Sequence, residues 1–412
     1  MNEDAFERGL VESPNELVRW SAYTDYLFEK NDPRGEFMLT QISLEDEKLT
    51  KAQRDELKKK EKELLEEHEQ GWLGNLAPHF RRSPAEDPSF EDYDRPTKPS
   101  VEYHWQRGFL NELKADCLTV ALAQALRDSD ALRLLQKLHV TSTAYYLSMQ
   151  ENAPPRRIPG PVEYRGYDEW LELLGAPFLG SLRVFQMGDT DGEPPEEGWG
   201  HNHTYAPGIE RVIAEMTRIE ELHLLCKEYD PAALFSLPNL TNLRVLRMYA
   251  LGEPNSDPEH FEIPLDALAA NPALGNLTHL MLHPHFADNR SFIPLSRVAP
   301  LFHSPHLKRL THLQLRLSDM GDDGVRELIS SGLLKRLKHL DLRHGAITDT
   351  GARLFAACPE TQGLERLDLS RNAVTPQGLR ILRQAGIQAI ANNPLTVAEL
   401  ESREYLHDGD FE

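Results

Sequence analysis

The sequence predicts an α/β fold. One parallel sheet lines the concave side of a solenoid, helices cover its convex side, and a small helical domain comes first. Three observations carry this. An alternating motif, L-x-x-L-x-L, returns along the second half of the chain. The last copies are each followed by a capped amphipathic stretch. The first 80 residues follow a different, helical period. With 412 residues and 40% hydrophobic content, the chain exceeds one ordinary compact domain but suits a repeat array.

The N-terminal domain is expected over 1–80. Phe6, Leu10, Leu17, Trp20, Tyr23 and Leu27 are spaced mostly by three or four, as on a buried helix face. Residues 45–69 hold ten acids and seven bases, which reads as a solvated helix. Folding back of this segment toward a basic face of the repeats is one role open to it. A Pro-rich linker is expected over 81–100.

The solenoid is expected over 101–394. Its clearest strands are Leu277-Thr-His-Leu280-Met-Leu282, Leu310-Thr-His-Leu313-Gln-Leu315, Leu337-Lys-His-Leu340-Asp-Leu342 and Leu364-Glu-Arg-Leu367-Asp-Leu369. Earlier copies begin at Leu182, Ile219 and Leu243. Two degenerate strands precede them, at 108–114 and 135–140, with a helix in 115–129 between them. Thr348 and Thr375 are suited to N-caps, and Pro376 to a first helical position. Each late unit is therefore strand, turn, helix. Loops at 150–166, 188–207, 253–264 and 284–300 are long and rich in proline or acid, as projecting rim loops would be. Residues 395–412 lose the motif and read as a polar cap or tail.

These repeats resemble the leucine-rich-repeat family in its helix-backed, ribonuclease-inhibitor-like form. The spacing is irregular, and only Asn372 stands where that family has its ladder asparagine. The run Tyr23-Thr-Asp-Tyr-Leu27-Phe-Glu-Lys-Asn-Asp32-Pro-Arg-Gly-Glu-Phe37 is similar to the repeat-companion domain of planctomycete-type bacterial proteins. Thr24 and Tyr26 replace that family's usual Ala and Trp. The resemblance implies a bacterial origin and no particular chemistry.

In such an array the leucines point inward and the residues between them line up across neighbouring strands. The first outward row is Val184, Glu221, Val245, His279, His312, His339 and Arg366. The middle row is Gln186, His223, Arg247, Met281, Gln314, Asp341 and Asp368. The third is Gly188, Leu225, Tyr249, His283, Arg316, Arg343 and Ser370. These 21 positions hold four arginines, five histidines and three acids, a net +1 with neutral histidines, against −22 for the rest of the chain. Such a separation would orient an acidic protein partner toward this face. Repeat duplication of Thr-His-Leu is the plainer explanation of the histidines.

The expected function is a non-enzymatic scaffold that binds a protein through this face, with Trp199 and Phe286 available on loops. The net charge of −21 argues against indiscriminate nucleic-acid or membrane binding. No cofactor is expected. The alternative is a metal-dependent enzyme using His201-Asn-His203, His283-Pro-His285 and Asp288, or the His279–His312–His339 row. Asp189-Thr-Asp191-Gly-Glu193 lacks the later ligands of a calcium loop. No phosphate-loop, dinucleotide, nucleophile-elbow or zincin motif occurs. Cys117, Cys226 and Cys358 are scattered and read as buried thiols. The start MNEDAFERGL lacks the features of a signal peptide, and no long apolar run occurs, so a cytoplasmic protein is expected.

Overall fold

The computed structural model describes residues 3–80, 101–143, 169–188, 204, 206–226, 229–249, 263–283 and 293–402, the side chains of Asp4, Thr143 and His283 excepted. Among the described residues eleven strands form one sheet in chain order. They are β1 (Val101–Gln106), β2 (Phe109–Leu118), β3 (Lys137–Thr143), β4 (Val184–Gly188), β5 (Glu221–Leu225), β6 (Val245–Tyr249), β7 (His279–His283), β8 (His312–Leu315), β9 (His339–Asp341), β10 (Arg366–Asp368) and β11 (Ala389–Ile390). The chain divides into two compact units, one over Met1–Phe185 with Glu215–Thr217, the other holding Gln186–Ala214 and Arg218–Glu412. Among the described residues no helix is long and apolar enough to cross a membrane.

In the first unit the expected helical stretch is two helices, α1 (Glu3–Glu12) and α2 (Leu17–Glu29), followed by α3 (Pro33–Leu44) and α4 (Lys51–Leu73). The Asp32–Phe37 run explains itself physically. Asp32 caps α3 by accepting from the Arg34 N–H at 2.8 Å, and Pro33 occupies the first turn. A Cβ on Gly35 would press on Leu27 and on the Phe28 backbone, so the close α2–α3 crossing needs glycine there. Phe37 is fully buried against Trp72 and Trp105. The α4 helix opens with a capping box between Thr50 and Gln53 and packs on α3 within this unit.

The hairpin β1–β2 is antiparallel, a strand pair the leucine pattern does not show. Its turn is held by α3: Gln41 Nε2 donates to the Trp105 carbonyl at 3.0 Å, and Gln41 Oε1 accepts from the Gly108 N–H at 2.8 Å. Arg107 pairs with Glu45 at 2.6 Å. The expected early strands at 108–114 and 135–140 are β2 and β3, paired in parallel, with the helix Val120–Arg127 between them.

In the second unit every strand from β5 to β11 is parallel to its neighbour. The inward leucines, Leu222, Leu246, Leu280, Leu313, Leu340 and Leu367, are all buried. They face the helices Leu265–Ala270, Leu295–Phe302, Gly321–Ser330, Asp349–Ala357 and Pro376–Gln384, whose apolar sides supply Leu268, Val298, Leu328, Phe355 and Leu382. At ~25 cal/mol per Å² of apolar surface removed from water, this repeated layer is the main stabilising contribution.

Two polar devices fix the spacing of late repeats. Asp322 accepts from the N–H groups of Thr348 (2.9 Å) and Gly351 (2.8 Å) and from the Thr348 hydroxyl (2.6 Å). Asp349 does the same for Thr375, one repeat on. Asn372, fully buried, accepts from the N–H groups of Gly345 (3.0 Å) and Ile347 (2.8 Å) and donates to the Leu342 carbonyl at 2.8 Å. Beyond the last strand, Leu395 and Leu400 pack on buried Leu317.

Candidate functional site

The sheet face away from the helices in the second unit carries the outward residues. Strand pairing places them in two rows. Glu221, Val245, His279, His312, His339 and Arg366 are successive partners from β5 to β10. His223, Arg247, Met281, Gln314, Asp341 and Asp368 form the second row in the same way. The third row is shorter: Tyr249 pairs with His283, but β8, β9 and β10 end before Arg316, Arg343 and Ser370.

Burial corrects seven of the outward assignments, Gly188, Leu225 and Ser370 among them, and four bear on the proposed contacts. Tyr249 is 1% exposed, Asp368 3%, Asp341 5% and Arg316 8%. Tyr249 lies in the core, its carbonyl accepting the Tyr229 hydroxyl at 2.7 Å, so its ring is no surface anchor. Asp341 accepts from Arg316 Nε (3.2 Å), Arg343 Nη2 (3.0 Å) and the Arg343 N–H (3.1 Å). Two arginines assigned to partner capture are thus committed to a buried carboxylate. The sequence showed the charges but not that the chain leaves the strand at Arg316 and turns its guanidinium onto the next repeat's Asp341, where Arg343 of that same repeat also binds.

Arg366 is different. It donates to Asp368 at 3.1 Å, yet its own side chain is 54% exposed. His223 lies 3.6 Å from Glu221, and His339 3.8 Å from Glu365. Met281 and Gln314 stand half-buried between the charged positions.

The histidine row is the most ordered part of the face. The His279 and His312 rings stack with centroids 3.9 Å apart and an 18° interplanar angle. His339 meets His312 edge-on, at 4.3 Å and 61°. Thr278 Oγ1 lies 2.8 Å from His279 Nδ1, and Thr311 Oγ1 lies 2.9 Å from His312 Nδ1. Partial burial, reinforced by the His339 imidazole and opposed by Glu221, pulls the His279 pKa down. Partial burial and the His279 and His339 imidazoles pull His312 down as well, against Glu365. Thr278 and Thr311 were visible in the Thr-His-Leu repeat, but their contact with the imidazole was not.

His201, His203, His285, Asp288, Asp189, Asp191, Glu193, Trp199 and Phe286 lie outside the described residues, as do 81–100 and most of the long loops. Among the described residues no group of three His, Cys, Asp or Glu side chains could hold a metal ion. Cys226 is buried, which pushes its thiol well above the usual range, as for an inert core cysteine.

A family model described as Leucine Rich repeat matches residues 303–328, 336–356 and 363–380. The chain carries leucine-rich repeats. The matched segments contain β8, β9 and β10 and the beginnings of the helices that follow them, where Leu-x-x-Leu-x-Leu is most regular. No curated protein matches the chain. A solved structure from Bacteroides fragilis is similar over 68% of this chain and 73% of its own, with 18% identity and a TM-score of 0.44. A leucine-rich-repeat protein of Leptospira interrogans is similar over 66% of this chain and 74% of its own, with 15% identity and a TM-score of 0.21.

Proposed function

We propose that this leucine-rich-repeat chain is a non-enzymatic scaffold that binds an acidic segment of a protein partner on the open face of β5–β10. The observation that carries the reading is the in-register row His279–His312–His339, continued by Arg366 and bordered by Arg247. It belongs to 21 sheet positions that sum to +1 in a chain otherwise at −22, of which buried Arg316, Asp341 and Asp368 neutralise charge within the structure. A flat row of half-exposed polar groups supplies contact area and direction and provides no enclosed reaction site. The helices α1–α4 are read as the repeat-companion domain, on the strength of the Asp32–Phe37 run, and the scaffold as a bacterial cytoplasmic protein.

The test is a titration with a poly-glutamate peptide, with poly-glutamine as control. Wild type should bind the first and not the second. The double variant Arg366→Gln, His339→Glu should abolish binding, because both side chains are substantially exposed, while a glutamine at 366 can still donate to buried Asp368. Binding unchanged in the double variant would refute the reading. Arg316 and Arg343 are unsuitable for this test, since a glutamate at either position would face Asp341.

A further inference from the structure

We infer that Thr278 and Thr311 lock His279 and His312 with the ring proton on Nε2, so that the two stacked imidazoles form a neutral two-donor clamp for one carboxylate. The inference rests on the acidic-partner reading and specifies its recognition element.

The backbone bears on where the hydroxyl protons go. The Arg244 carbonyl already accepts from the N–H groups of Thr278 (2.9 Å) and His279 (3.0 Å). The Thr278 carbonyl likewise accepts from Thr311 (2.9 Å) and His312 (3.0 Å). A carbonyl oxygen has two lone pairs, and both are used. The threonine hydroxyls lie 3.0 and 3.2 Å from these occupied oxygens but only 2.8 and 2.9 Å from the imidazole Nδ1 atoms. We assign each hydroxyl proton to the shorter contact, with Nδ1, rather than to a third place on a carbonyl that already takes two N–H donors. Nδ1 is then an acceptor, and the proton of the neutral ring sits on Nε2.

The neighbouring strand supplies an internal comparison. His339 follows Lys338, which has no hydroxyl, although the same backbone pair of N–H groups reaches the Thr311 carbonyl at 2.8 and 3.1 Å. Its ring is turned 61° from His312, while the two threonine-backed rings are within 18° of parallel. Near-parallel rings on paired positions, each held at Nδ1 by the preceding threonine, set their Nε2–H groups side by side one ring spacing apart, so one carboxylate can accept a hydrogen bond from each. Such donors need no added proton. The carboxylate of a glutamate or aspartate fits them, whereas an ammonium or guanidinium, which offers only donors, does not.

The experiment combines imidazole 15N NMR of the full chain near neutral pH with poly-glutamate titration. In wild type, His279 and His312 should show a protonated Nε2 and an unprotonated, hydrogen-bonded Nδ1. Thr278→Val with Thr311→Val should shift both Nδ1 signals and weaken binding about three- to tenfold, the loss expected when oriented charge-assisted bonds must be re-formed from free rings. Thr278→Ser with Thr311→Ser should restore both readouts. His312→Phe keeps the stack, removes one donor and should weaken binding at least as much. A protonated Nδ1 in wild type overturns the lock. Peptide binding that survives the valine pair and His312→Phe overturns the clamp and leaves the acidic-partner reading standing. No binding by wild type overturns both.

Discussion

Removing Asp341 should unlock the edge of the candidate face. Asp341→Ala deletes a carboxylate that accepts from Arg316 Nε, Arg343 Nη2 and the Arg343 N–H at 3.0–3.2 Å. Breaking a buried ion pair by removing one partner costs about 3–5 kcal/mol, because the charge left behind is poorly solvated. The two arginine side chains are 10% and 12% exposed and can swing partly toward water, which places the cost at the low end, about 3 kcal/mol. With a urea slope of roughly 2 kcal/mol per M, the unfolding midpoint should fall by about 1.5 M. Asp368→Ala should cost less, since its partner Arg366 is already half in solvent. Urea unfolding followed by circular dichroism reads both. A loss below about 1 kcal/mol for Asp341→Ala would refute the claim that these arginines are structural, and would return them to the binding surface.

Asn372→Ala should cost about 2–4 kcal/mol, because the Gly345 and Ile347 N–H groups lose their acceptor in a buried turn. Hydrogen exchange should then rise at 345–347, and unchanged protection there would refute the ladder role. Gly188→Ala should destabilise the start of the second unit, since φ is +89° and a Cβ would collide with the Leu225 carbonyl. A normal melting temperature would contradict that close approach. The histidines give a pH dependence. His279 and His312 hold protons less readily folded than unfolded, so their contribution is present above the unfolded value of about 6.5 and is lost as pH falls through the lowered folded values. Wild type should therefore lose more stability between about pH 7 and 5.5 than a His279→Asn, His312→Asn variant, and equal losses would refute the assignment.

The legible part of the fold was its periodic part. Leucines at Leu277, Leu280 and Leu282, repeated to Leu369, mark strands because the inward period is two and the spacing of copies is short. The same alternation gave the register of His279, His312 and His339, because parallel strands in successive repeats pair like positions. The hairpin β1–β2 escaped because nothing in its local pattern says that Gln41, more than sixty residues earlier, holds its turn. The fate of Arg316, just past β8, escaped for a related reason, and Tyr249 and Asp341 stand at the last positions of β6 and β9, where the alternation stops. Alternation assigns a side to each residue only while the strand lasts, and β8 ends at Leu315. Past that point the backbone bends, with Leu317 and Asp319 at positive φ, and side chains take directions set by their partners.

Histidine footprinting tests the central claim most directly. Diethyl pyrocarbonate labels accessible neutral imidazoles, and mass spectrometry reports each site. Addition of poly-glutamate should protect His279, His312 and His339 together and leave His303, which pairs with Glu327 beside the helix Gly321–Ser330, labelled as before. Labelling of the three row histidines that does not change when the peptide is bound would show that the acidic segment binds elsewhere.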